Sequence, residues 1–222
     1  MTPVLRLARQ EPSAILLAAQ LASLLLYPFM EDSGAGRALF SLFGIAILGL
    51  VLLAVRSSPA WTWFGVLLAI PAGVLLVIQA VTGSDDLLPY SSAFEAVLYF
   101  YAAGALIAYM LADHDVTRDE LFAVGATFTL VAWAFAYSFT VLQAIEPGSF
   151  TAAIDPTGER TWTELLFLSF TTLSSTGLSD VIPVKAFARS VVMLEQLAGV
   201  AYIAIVVSRL VGLTVIRRAN TD

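Results

Sequence analysis

Residues 174 to 183 read SSTGLSDVIP, a polar decapeptide set between the apolar run LLFLSFTTL (165–173) and a long hydrophobic stretch that begins near residue 187. The surrounding chain is 59% hydrophobic and only 13% charged, with a single lysine and no cysteine in 222 residues. That is the composition of a membrane protein. Irregular polar backbone at membrane depth is tolerated only where protein or a water-filled cavity covers it. The decapeptide therefore decides the fold, because it marks a segment that enters the membrane and leaves on the same side. Without cysteine there is no disulfide framework and no thiolate metal site.

Working outward, apolar runs cover about 13–29, 39–55, 61–81, 93–112, 121–145 and 187–212, each near the ~20 residues that cross ~30 Å of hydrocarbon. The run 165–173 is too short to cross and reads as a re-entrant helix. Arg6 and Arg9 precede the first run, which is read as a span rather than a signal peptide. The expected fold is an all-α membrane protein with six transmembrane helices, one re-entrant helix and a polar loop.

Arg6, Arg9, Arg56, Arg118, Arg217 and Arg218 fall on one side of six spans, which places both termini in the cytoplasm. The opposite loops carry Glu31, Asp32, Asp85, Asp86, Glu146, Asp155, Glu159 and Asp180 against Arg37, Arg160, Lys185 and Arg189; an acidic outer face attracts cations, the alternative being loops that are charged simply because they are wet. Ahead of the short helix, EPGSF and DPTGER are turn chemistry, and Thr161 stands three residues before Glu164, the spacing of a capping box. A helix capped outside points its partly negative C-terminal end toward the membrane centre, where it favours a cation.

The stretch SFTTLSSTGLSDVIPV (169–184) resembles the pore loop of the tetrameric potassium-channel superfamily, whose filter reads TTVGYGD followed, after two intervening residues, by a proline. Ser174 and Ser175 stand at its two threonines and Thr176 at its valine, while Gly177, Asp180 and Pro183 match. Leu178 replaces the tyrosine and Ser179 the second glycine. VTRDELFAVGATFTLVAWAFAY (116–137) and VVMLEQLAGVAYIAIVVSRLVGL (191–213) are similar to the outer and inner helices of short bacterial members. The resemblance implies a homotetramer in the lipid bilayer of a bacterial inner membrane. It implies a sensor-like domain over 1–115, a pore domain over 116–222, and no cofactor beyond the permeant ion, potassium or sodium. It further implies ion coordination by Ser174, Ser175, Thr176, Gly177, Leu178, Ser179 and Asp180, support from Thr171 and Thr172, and a gating hinge at Gly199.

Stacked carbonyls face one axis only when successive residues alternate between right- and left-handed backbone, and glycine suits the left-handed places. Ser179 at such a place costs roughly 1–2 kcal/mol in each subunit. Leu178 is expected to pack in an apolar pocket, the inner half of the loop to keep potassium-like coordination, and the outer half to relax. The fourth span carries Glu95 and none of the arginines of a voltage sensor, so little voltage dependence is expected.

Glu195 in the last span either faces the pore and concentrates cations or bonds Thr171, Thr172 or Ser174 and braces the loop, the second being favoured. The segment DHDVTRDE (113–120) reads as a solvated connector rather than a divalent-cation site. One histidine, no cysteine and no phosphate-cradling glycine loop argue against an enzyme, and nothing suggests nucleic acid or a soluble partner. The sequence thus points to a cation channel with weakened potassium selectivity. The alternatives are a non-selective or sodium-passing channel and a non-conducting scaffold.

Overall fold

The computed structural model describes residues 11–26, 34–56, 60–83, 86–112 and 117–219, with side chains for all but 34–43, 210 and 212–219. Arg6, Arg9, Glu31, Asp32 and Asp85 lie outside the described residues, as do Asp113, His114 and Asp115 of the acidic connector.

The helices in chain order are α1 (Pro12–Leu26), α2 (Gly34–Arg56), α3 (Thr62–Thr82), α4 (Leu88–Met110), α5 (Arg118–Ile145), α6 (Trp162–Leu173) and α7 (Ala186–Ala219). Their boundaries follow local chemistry. Proline opens α1 and stands in the first turn of α4, where a missing N–H costs nothing. Gly83 ends α3 at φ 65°, its N–H reaching the Gln79 carbonyl at 2.8 Å. Among the described residues, four helices are long and apolar enough to cross a membrane: Thr62–Thr82, Leu88–Met110, Arg118–Ile145 and Ala186–Arg209. The fifteen residues of α1 rise only about 22 Å at 1.5 Å per residue, short of the hydrocarbon thickness.

The chain forms two compact units, Met1–Ala112 with Thr117–Val131, and Asp113–Val116 with Ala132–Asp222. In the first, α3 lies close to α2 and α4 at Gly65, where an added Cβ would meet Leu52 at 3.2 Å and Tyr101 at 3.6 Å. Helix α1 runs beside the first half of α5 in parallel register. Asp119 accepts the Ser13 N–H and hydroxyl, both at 2.9 Å, Leu17 covers Gly125, and Gln20 Nε2 donates to the Ala126 carbonyl.

In the second unit the all-helical expectation is incomplete. Strands β1 (Phe150–Ala152) and β2 (Val181–Pro183) pair antiparallel, Phe150 opposite Pro183 and Ala152 opposite Val181. Three residues show no periodicity, so such a ladder is invisible to pattern reading. It fastens the last three residues of the decapeptide to the segment before α6.

A capped short helix and its strained loop

Helix α6 begins as its residues dictate. Thr161 accepts the Glu164 N–H at 3.3 Å while Glu164 Oε2 accepts the Thr161 N–H at 2.7 Å, so both halves of the capping box are formed. Beside it Arg160, buried, uses all five guanidinium donors: Nε on the Gly158 carbonyl, Nη1 on the Ile154 carbonyl and Glu164 Oε1, Nη2 on the Asp155 and Gly158 carbonyls. The Gln143 side chain on α5 clips the Arg160 backbone from both sides, Oε1 taking its N–H at 2.8 Å and Nε2 giving to its carbonyl at 3.0 Å. Trp162 packs edge-on against Trp133, and its ring also meets Tyr137 in a tilted contact.

The other end of α6 closes with a Schellman motif. Ser174 is the C-cap, Ser175 turns left-handed at φ 61°, its N–H reaches the Thr172 carbonyl at 3.0 Å, and the Thr176 N–H reaches Thr171 at 2.9 Å. The Gly177 N–H also falls on the Thr171 carbonyl at 3.0 Å, and the Ser174 and Thr176 hydroxyls approach the same oxygen. The partly negative carbonyls of the last turn are thus met by the loop's own donors. Thr171 and Thr172 accept these bonds through their backbone carbonyls.

Ser174 is right-handed, Ser175 left, Thr176 is not left-handed, and Gly177 is left-handed at φ 66°. The alternation stops there. Left-handed strain, expected at Ser179, falls instead on Ser175, where glycine is the usual occupant. Ser179 escapes because its hydroxyl accepts the Val181 N–H at 3.1 Å, a local turn that delivers the chain into β2. The expectation for Leu178 is also corrected: it is 77% exposed in the chain, not held in an apolar pocket. The outer end of the loop is tied by backbone instead, through β1–β2 and the Val184 N–H on the Ser149 carbonyl at 2.9 Å. Asp180 is exposed.

Behind the loop, α7 meets α6 at two successive turns. Glu195, fully buried, reaches the Ser169 hydroxyl rather than Thr171, Thr172 or Ser174, and the same hydroxyl lies 2.8 Å from the Ala132 carbonyl of α5. Four residues on along both helices, Gly199 lies against Leu173 so closely that a Cβ would strike the Leu173 carbonyl. Helix α7 runs unbroken through Gly199, and the missing side chain is what this approach requires.

A family model described as "Ion channel" matches residues 96–215, just over half of the chain. The chain belongs to this ion-channel family. Membership places it in the potassium-channel-like superfamily and makes it a cation channel of the membrane rather than an enzyme. No curated protein and no solved structure matches the chain. The matched region holds every element of the candidate site, from the start of α5 to Gly199. Among the described residues no cluster of metal-ligating side chains occurs in the channel, and Asp119 of the acidic connector is engaged by Ser13. Sequence reasoning missed Ser169, Arg160 and Gln143. The equal four-residue spacings of Ser169 and Leu173, and of Glu195 and Gly199, were the available signal for the first.

Proposed function

We propose that this channel is a homotetramer, with six spans and cytoplasmic termini in each chain of a bacterial inner membrane, that passes monovalent cations down their gradient with potassium selectivity weakened. In this reading α5, α6 and α7 are the outer, pore and inner helices, and Ser174 to Asp180 is the filter. Four copies of the loop surround one axis, where main-chain oxygens replace the hydration shell of potassium or sodium. Gly199 serves as the gating hinge as well as the contact point, and Asp180 gathers cations outside.

The observation that carries this reading is the place where backbone alternation ends. The alternating hands of Ser174 to Gly177 support carbonyls sharing one side, whereas the turn at Ser179 supports an outer half that leaves the axis early. Fewer stacked sites discriminate less well between potassium and sodium. The same turn favours the second reading, a channel that passes sodium about as well. Little voltage dependence follows from α4, whose charged complement is Glu95 alone, since each sensor charge is worth roughly 2.3 kcal/mol per 100 mV.

Reversal potentials across liposomes holding purified protein in opposed potassium and sodium gradients test the reading. A potential between the two equilibrium values is expected, and the pair Leu178→Tyr with Ser179→Gly is expected to move it toward potassium. A wild-type potential that follows potassium alone defeats the weakened-selectivity reading. The absence of any flux leaves only a scaffold.

A further inference from the structure

One hydroxyl joins three helices in the second unit. Ser169 Oγ on α6 lies within hydrogen-bond reach of the Ala132 carbonyl on α5 and of Glu195 Oε1 on α7, and Ser169 and Glu195 are both fully buried. A serine hydroxyl carries one hydrogen, and a backbone carbonyl can only accept. If Ser169 gives its hydrogen to Ala132, the second contact is a hydrogen bond only when Glu195 donates. A bare carboxylate there would face oxygen without a proton between, and its Oε2 has no hydrogen-bond partner among the described residues. An unpaired charge in such a place is strongly disfavoured, whereas a neutral acid is far less so.

We propose that Glu195 and Ser169 form a directed relay, the Glu195 carboxyl donating its proton to Ser169 Oγ and Ser169 donating to the Ala132 carbonyl, and that this relay positions the pore helix and thereby sets cation discrimination in the loop. The link from relay to loop is short. Ser169 stands two residues before Thr171, whose carbonyl holds the amides of Thr176 and Gly177. The second α6–α7 contact, Leu173 on Gly199, follows one turn later and fixes the same register. A shift of α6 along α7 moves the left-handed residues Ser175 and Gly177 with it. Both Ser169 and Glu195 are positioning residues, acting on the ion through the loop.

The inference rests on the conducting reading above, so its test has two arms on the purified full-length channel. In liposomes, Ser169→Ala and Glu195→Ala are each expected to change the potassium-to-sodium permeability ratio about fivefold, equivalent to roughly 1 kcal/mol at 1.4 kcal/mol per decade. Glu195→Gln, which retains a donor, is expected to stay within about twofold of wild type, and the double alanine variant to match either single one. If Glu195→Gln shifts the ratio as far as Glu195→Ala does, or if Ser169→Ala leaves it unchanged, the relay is overturned. Should Ser169→Ala fail to assemble by size-exclusion chromatography, Ser169→Cys, a weaker donor of similar size, carries the same expectation. The second arm is the infrared difference between wild type and Glu195→Gln. A protonated carboxyl band lost in the variant is expected, and a carboxylate band lost in its place refutes the relay. A wild-type protein without flux overturns the conducting reading, and the infrared arm still decides the direction of the bond.

Discussion

The two ends of α6 are built on opposite terms. At the start, Arg160 has five donors and five acceptor contacts, its backbone is clipped by Gln143, and the capping box satisfies the first turn. At the finish, a serine occupies a left-handed position, one carbonyl serves two amides and two hydroxyls, and α7 presses on Leu173 where no side chain fits. The first end holds a helix in place by saturating its polar groups. The second holds a loop ready by crowding them, and strain of this kind persists only where the surroundings over-determine it. The proposed function calls for both: a fixed helix and a loop whose backbone can hold an unusual conformation around a passing ion.

Removing the saturated end should have the largest effect. Arg160→Ala leaves the carbonyls of Ile154, Asp155 and Gly158 and the Glu164 carboxylate without their shared partner. Breaking a buried charged network by removing one member costs about 3–5 kcal/mol. Because Glu164 is one-third exposed, water offsets part of this, and a loss near the lower figure is expected in the thermal unfolding of the purified protein. An unchanged melting temperature would mean that the comparison misplaces the rigid end.

Next in size is Gly199→Ala, which attacks the crowded end. The new methyl would lie 2.9 Å from the Leu173 carbonyl carbon and 3.0 Å from its Cα, both closer than such atoms approach, and neither can swing away as a side chain could. Overpacking of this sort costs about 1–3 kcal/mol. A purely hinge-like glycine predicts something else: a change in opening with stability kept, since alanine is the better helix former by about 0.5–1 kcal/mol. Melting and flux measured together on Gly199→Ala separate contact from hinge, and a stabilised variant would exclude the contact.

How much of this could be read from residues alone follows the range of each interaction. The capping box and the short helix are local, with α6 starting at Trp162 after Thr161, and four of the six periodic apolar runs stand as helices long enough to span among the described residues. The family of the pore region was also legible, through Gly177, Asp180 and Pro183 at fixed spacing. What escaped depends on partners far along the chain. Ser169 and Glu195 are 26 residues apart, Gln143 and Arg160 are 17 apart, and the strands pair residues about 30 apart. Ser179 was misjudged for a different reason. The family pattern assigns it a backbone hand, but a serine hydroxyl can close its own turn on Val181, an option open to no glycine.

The smallest expected effect tests the strained residue itself. Ser175 at φ 61° costs roughly 1–2 kcal/mol relative to a right-handed conformation, and glycine relieves that. Glycine also loses more backbone freedom on folding, which takes back roughly 0.5–1 kcal/mol. Ser175→Gly should therefore raise stability by no more than about 1.5 kcal/mol in each chain, visible as a modest upward shift in melting temperature. The sign matters more than the size. The Schellman bonds from Ser175 and Thr176 are backbone bonds, and glycine keeps both of them. If melting falls instead of rising, the serine hydroxyl must be making a contact that outweighs its backbone strain, and the contrast between a saturated start and a strained finish would have to be redrawn around that contact.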